Sequence, residues 1–148
     1  MDEQAGPGDA WSQFVQAVFE VNGLINQAGE GIAGPLGQSS ARWHVLGRAF
    51  RPQTVAAMAA DMGHARQSVQ RITDALERDG LIAYRPHPTD RRTQLVELTA
   101  PGRAVLEEIY QRQLAWSAGV TEQLGESTLR TLATSLRDVS RTLSDPRS

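Results

Sequence analysis

Apolar residues recur at positions 11, 14, 15, 18, 21 and 25 between Trp11 and Ile25, a spacing that lines one face of an α-helix. The glycine-rich "AGEGIAGPLG" (28–37) is expected to end it. Ser39 or Ser40 can cap a second helix running through Trp43, Leu46 and Phe50. Pro52 interrupts, and Thr54 opens a short helix, "VAAMAADM", that stops at Gly63. Ala65, Val69, Ile72 and Leu76 then share one face of a helix ending at "RDG" (78–80), where Gly80 suits a left-handed closing residue. "LIAYR" (81–85) and "TQLVEL" (93–98) are short and rich in β-favouring residues, and a proline-bearing turn between them predicts a hairpin.

Thr99 with Pro101 marks another helix start, followed by apolar positions 105, 106, 109, 110 and 114 and running on toward Leu124. A last helix begins near Ser127 and carries Leu129, Leu132, Leu136, Val139 and Leu143 on one stripe. The fold class is therefore mainly α with a small β-hairpin (α+β). The stripes of the first and last helices are too long for a small core to cover. Either they pack on each other or they meet the same helices of a second copy. The second option is favoured, because a lone pair would leave apolar surface in water, so a two-fold homodimer is expected.

Composition adds exclusions. At 148 residues, with 40% apolar and 22% charged residues, the chain fits one ordinary globular domain, residues 1–148. No apolar run is long enough to cross a bilayer, and "MDEQAGPGD" lacks the basic-then-apolar order of a secretory signal. A cytoplasmic protein with no membrane partner is expected. The absence of cysteine removes disulfides, thiolate metal sites and thiol redox sensing.

The net charge of −2 conceals an uneven distribution. Residues 1–41 hold five acids and no base, residues 42–92 hold nine arginines against five acids, and residues 93–148 hold six arginines against seven acids. The positive excess sits in the middle third, the part suited to meet an anion.

That third contains "VAAMAADMGHARQSVQRI" (55–72), with the anatomy of a helix-turn-helix. Ala59 is small where two helices would cross, Gly63 sits where the turn calls for positive φ, and Val69 would pack back. Met58, Met62 and Ile72 fill the other inward positions. An αα-corner in any helical core would satisfy those spacings too. It leaves unexplained the outward crowd of Arg66, Gln67, Ser68, Gln70 and Arg71, with the acids Asp74 and Glu77 a turn later. Arginine can bridge guanine O6 and N7, and glutamine can pair with adenine N6 and N7. Double-stranded DNA is the partner that this gradient favours over a merely solvated face.

An enzyme is not expected. The three histidines, 44, 64 and 87, lie in different elements with no metal-ligand spacing, and neither a phosphate-binding glycine loop nor G-x-S-x-G is present. Glu107 and Glu108 are adjacent on a helix and diverge. No cofactor and no metal are expected.

Helix-turn-helix followed by "LERDGLIAYRPHPTDRRTQLVELTAPGRAVL" (76–106) resembles the MarR family of winged-helix transcription regulators. The family's wing pattern stands here as Asp90, Arg92, Leu98 and Thr99, and "TAPGR" (99–103) is similar to the opening of its long dimerisation helix. The resemblance implies a winged helix-turn-helix core at about 39–99, flanked by dimerisation helices at about 10–28 and 100–144. It implies a homodimeric repressor whose helix 65–79 enters the major groove of an inverted-repeat operator, with half-sites roughly 34–36 Å apart. Arg91 and Arg92 would reach the flanking minor groove, with Arg92 favoured, and Asp90 would brace the wing through an arginine.

Two departures stand out. Ala65 occupies the position where this helix would usually have a capping serine or threonine. The lack of cysteine removes the peroxide-sensing branch of the family. The family also implies a small aromatic or phenolic acid as effector, bound between dimer helices and winged domain; Trp11, Trp43, His44 and Arg48 are the candidate residues. The plainer reading of these residues is stronger: tryptophans at helical spacing are usually core, and a lone histidine is usually a polar edge residue. The alternative function is a winged-helix module that binds protein without touching DNA.

Overall fold

The computed structural model describes residues 6–147. Of the acidic N-terminal stretch, Met1 to Ala5 lie outside the described residues. The chain divides into two compact units, with the division inside a helix after Ile109.

In the first unit, helix α1 spans Pro7–Ala33. Pro7 suits its first turn, where an N–H has no acceptor, and Asp9 complements the helix dipole. The helix outruns the end predicted from its glycines. Gly29 is buried against the next helix: a Cβ there would lie 2.8 Å from Ser40 Oγ, so glycine at this position permits a close crossing rather than a stop. Closure comes later, in a 3₁₀ turn at Gly34–Leu36 ended by Gly37 at φ 73°.

Helix α2 (Ser40–Arg48) is capped by Ser39, whose Oγ accepts from Arg42 N at 3.1 Å. Glu30 of α1 accepts from Ser40 N at 3.0 Å, which ties α1 to the start of α2. Helix α3 (Val55–Met62) is capped by Thr54, which accepts from Ala57 N, and is closed by Gly63 at φ 64°. Helix α4 (Arg66–Arg78) follows, closed by Gly80 at φ 77° with Leu81 N donating to Leu76 O at 3.0 Å.

Strands β1 (Ile82–Pro86) and β2 (Gln94–Leu98) pair antiparallel, with Ile82 opposite Leu98 and Pro86 opposite Gln94. Gln53, in the α2–α3 connection, adds an antiparallel bridge to Val96, with N–H···O bonds of 3.2 and 2.8 Å. The core that holds these elements is built from Val45 and Leu46 of α2, Met58 of α3, Val69 and Leu76 of α4, and Ile82, Val96 and Leu98 of the hairpin. Met62 and Ile72 pack at its margin.

Helix α5 spans Ala100–Leu124. Thr99 Oγ1 accepts from Gly102 N at 3.1 Å and donates to Gly80 O at 2.6 Å, so one hydroxyl joins the end of α4 to the start of α5. A smaller cluster gathers Ile32, Ala33 and Ile109, with Leu36, Trp43 and Val105 against it. Helix α1 leaves Phe19, Leu24 and Ile25 more than half exposed.

The second unit, residues 110–147, contains the rest of α5 and helix α6 (Glu126–Leu143), joined at Gly125 with φ 88°. None of the α6 residues is buried, and Leu132, Leu136 and Leu143 are exposed. The combination of helices with a two-stranded antiparallel hairpin is the winged-helix architecture.

Candidate nucleic-acid interface

The first two turns of α4 expose Arg66, Gln67, Ser68 and Arg71. Among the described residues, none of these four makes a side-chain hydrogen bond or ion pair, and α4 has no side-chain cap at Ala65. The N-terminal end of the helix therefore carries polar side chains around several of its faces, together with the N–H groups of Arg66 and Gln67, which have no acceptor among the described residues, a combination that attracts anions. Arg78 and Asp79 lie at the other end, where Asp79 pairs with Arg42 of α2.

Gln70 is placed differently. It is half-buried, and its Nε2 donates to Asp74 Oδ1 and Tyr84 Oη, each at 3.0 Å. Tyr84 Oη donates to Asp74 Oδ1 at 2.6 Å and lies 2.7 Å from Thr73 Oγ1. Thr73 is fully buried and donates to the Gln70 carbonyl at 2.9 Å. Burial first, and then the hydrogen bond to Asp74, push Tyr84 up to about 12. The same bond, followed by that from Gln70, holds the Asp74 carboxyl below its ordinary range. This network joins α4 to β1. Its signal in the sequence was weak: Tyr84 stands two residues after Ile82 and so shares its face of the strand, but nothing in the pattern pairs it with Asp74.

The wing tip, residues 87–93, is organised by hydrogen bonds to its own backbone. His87 Nδ1 accepts from Thr89 N at 3.2 Å and Asp90 N at 3.0 Å, which requires an unprotonated Nδ1. Asp90 Oδ1 accepts from Arg92 N at 3.0 Å and Arg92 Nε at 3.1 Å. The Arg92 side-chain bond, followed by that to its backbone, holds the Asp90 carboxyl below the usual carboxylate range. Arg92 remains highly exposed despite this pairing. Arg91 has no ion-pair partner among the described residues.

Helix and wing face each other across a cleft of about 360 Å³ lined by Val55, Arg66, Gln70, Tyr84, Arg91, Arg92, Thr93 and Gln94. Three arginines from two elements meet there without a carboxylate among the lining residues. Gln67, Ser68 and Arg71 lie outside that cleft; Ser68 instead borders a second one.

That second cavity, about 570 Å³, lies among α1, α2, α3 and α4. Its polar lining includes Asn22, Asn26, Glu30, His44, Arg48, Asp61 and His64. Of the four residues anticipated for an effector, His44 and Arg48 are here and the tryptophans are not. Trp43 packs on the Ile32–Ala33–Ile109 cluster, and Trp11 lies against Phe14 with ring centroids 5.6 Å apart. Partial desolvation, then Arg48 and His64, lower the His44 pKa. Glu30, Asp61 and His64 were not anticipated, because they come from elements whose proximity only the fold sets. Among the described residues, no group of three acids and histidines could hold a metal, and no helix is long and apolar enough to cross a membrane.

A family profile described as the MarR family matches residues 44–93, which include α3, α4, β1 and most of the wing. An uncharacterized protein of Mycobacterium tuberculosis is 34% identical over 130 residues, 87% of this chain and 91% of that protein. The transcriptional activatory protein BadR of Rhodopseudomonas palustris is 29% identical over 131 residues, 85% of this chain and 70% of that protein. The crystal structure of a mutant MarR from E. coli, complexed with operator DNA, shares the fold at TM-score 0.76 and 23% identity, over 91% of this chain and 99% of that one.

Proposed function

This chain belongs to the MarR family of transcription regulators, and from that membership we propose that it is a homodimeric repressor that binds a pseudo-palindromic duplex operator. In this reading α4 enters the major groove with Arg66, Gln67, Ser68 and Arg71 toward the bases and phosphates, Gln70 joins the base-reading set, and Arg91 and Arg92 carry the wing to the minor groove. Asp90 braces the wing by holding Arg92. Residues 1–148 then act as one regulator domain, with the helices outside residues 39–99 forming the dimer.

The observation that carries the reading is the cleft in which Arg66 of α4 and Arg91 and Arg92 of the wing converge. Arg66 and Arg91 have no ion-pair partner among the described residues and Asp90 offsets only Arg92, so the guanidinium groups repel one another and a polyanion relieves that cost. A protein-binding wing has no such need. The decisive measurement is binding of duplex DNA across a salt series. Log affinity should fall linearly with log salt. Salt-independent binding, or none, rejects this function in favour of a protein-interaction module.

The homodimer is supported by the large apolar residues that α1 and α6 leave exposed, Phe19, Leu24 and Ile25 on one and Leu132, Leu136 and Leu143 on the other. Sedimentation should give twice the 16.1 kDa chain mass. Repression is the direction proposed, and a promoter reporter with and without the regulator decides it; the name of BadR describes an activator. The effector proposed is a small aromatic acid in the cavity between α1 and the helix-turn-helix, where His44, Arg48 and His64 supply positive or protonatable groups.

A further inference from the structure

We propose that Tyr84 and Asp74 are positioning residues for base recognition, fixing the orientation in which Gln70 offers its amide to an adenine. This rests on the DNA-binding reading above and adds to it a source of specificity outside the exposed face of α4.

Gln70 stands apart from its neighbours on the first two turns of α4. Arg66, Gln67, Ser68 and Arg71 are exposed, whereas Gln70 is held by hydrogen bonds to Asp74 and Tyr84 while still lining the arginine cleft. A long side chain that must become ordered on binding loses rotamer freedom at that moment; Gln70 is ordered beforehand.

The partners also determine which way the amide points. An ionised carboxylate only accepts hydrogen bonds, so the Gln70 nitrogen and not its oxygen faces Asp74. Asp74 Oδ1 and Tyr84 Oη are 2.6 Å from each other and each 3.0 Å from that nitrogen. Both therefore lie in one direction from Nε2 and share one of its two diverging hydrogens. The second N–H and Oε1 are left over, a donor beside an acceptor. That is the complement of the adenine major-groove edge, where N7 accepts and the N6 amino group donates.

Tyr84 keeps the arrangement in place from across the interface between helix and wing. Its hydroxyl proton goes to Asp74, which stops that carboxylate from turning to solvent, and its oxygen receives the shared Gln70 hydrogen. Removing the hydroxyl leaves a single part-buried contact between residues one turn apart on α4, and the Gln70 amide is then free to turn over. With donor and acceptor exchanged, the preference for adenine disappears although the side chain remains.

The test is selection of duplexes from a random pool by the full chain and by Gln70→Ala, Tyr84→Phe and Asp74→Ala variants, with thermal unfolding and the salt slope of binding measured for each. The wild-type chain should enrich adenine at one position per half-site by roughly five-fold or more. Gln70→Ala should abolish that enrichment. Tyr84→Phe and Asp74→Ala should lower it at least three-fold at the same position, leaving the other positions and, for Tyr84→Phe, the salt slope unchanged. Full adenine enrichment in both network variants overturns the inference. Equal flattening of every position also overturns it, since that marks a packing role only. A wild-type chain that binds duplex DNA with no position sensitive to Gln70→Ala overturns the inference and spares the DNA-binding reading. A wild-type chain that binds no duplex overturns both.

Discussion

A methyl group on the α-carbon of Gly102 would lie 1.9 Å from the carbonyl oxygen of Leu81. That same oxygen accepts the backbone N–H of Thr99 at 3.1 Å, so the entry to β1 and the first turn of α5 meet backbone to backbone. Neither side can yield by a rotamer change. Gly102→Ala should therefore destabilise the fold by about 3 kcal/mol or more, at the upper end of overpacking costs. Gly119→Ala, in the same helix with nothing within 4 Å of an added Cβ, should be neutral or stabilising by up to about 1 kcal/mol. Urea unfolding of both variants checks this, and equal midpoints would refute the close approach.

Ala65 precedes α4 in the extended conformation of a capping residue, φ −64° and ψ 138°, but has no oxygen to offer. Thr54 and Ser39 occupy the equivalent places on α3 and α2 and do accept from the first turn. Ala65→Ser should therefore raise stability by about 1 kcal/mol, the usual worth of a helix cap. A capped turn has fewer N–H groups left for phosphate, so DNA affinity should fall in the same variant. A higher unfolding midpoint with unchanged affinity would show that these N–H groups do not meet DNA.

The wing arginines and the α4 side chains should separate by the kind of defect each causes. Arg92→Ala is expected to weaken binding to most sequences and to flatten the salt slope by about 0.9 for each phosphate that it leaves unneutralised. Gln67→Ala and Arg66→Ala should relax base preference at one position per half-site. Asp90→Ala keeps the Arg92 charge but removes its acceptor, so affinity should drop several-fold with the salt slope nearly intact. Equal weakening on all DNA sequences for Arg92→Ala, Gln67→Ala and Arg66→Ala would end this division of labour.

His44 predicts a pH dependence. Its folded pKa is lowered, so between the folded and unfolded values the unfolded chain binds more protons. The stability it contributes is fully present above the unfolded value, near 6.5, and is lost as pH falls through that value toward the folded one. Thermal midpoints should decline from pH 7.5 to pH 5.5 for the wild type and less steeply for His44→Gln. A bound carboxylate would favour the charged imidazole, so benzoate should bind more tightly at the lower pH, with proton uptake seen by calorimetry in two buffers. Parallel declines for wild type and His44→Gln would remove His44 from the account.

Much of the fold could be read from the chain because it depends on local chemistry. The caps at Ser39 and Thr54, the left-handed Gly63 and Gly80, and the start of α5 at Thr99 are set by residues within a turn of where they act. The inward face of α4 and the hairpin followed from periodicity for the same reason. What periodicity could not reveal was the outcome of contact between distant segments. Gly29 read as a helix breaker, and only the approach of Ser40 makes it a contact point inside α1. Gln70 read as one exposed polar residue among five, and only the packing of β1 against α4 brings Tyr84 to hold it. Trp43 could have faced a ligand or the core, and burial with Ile32 and Ile109 chose the core. Sequence by itself determined the order and kind of the elements and most of their ends, because backbone conformation and capping respond to near neighbours. Tertiary structure alone decided which side chains converge, because distance in space is independent of distance along the chain.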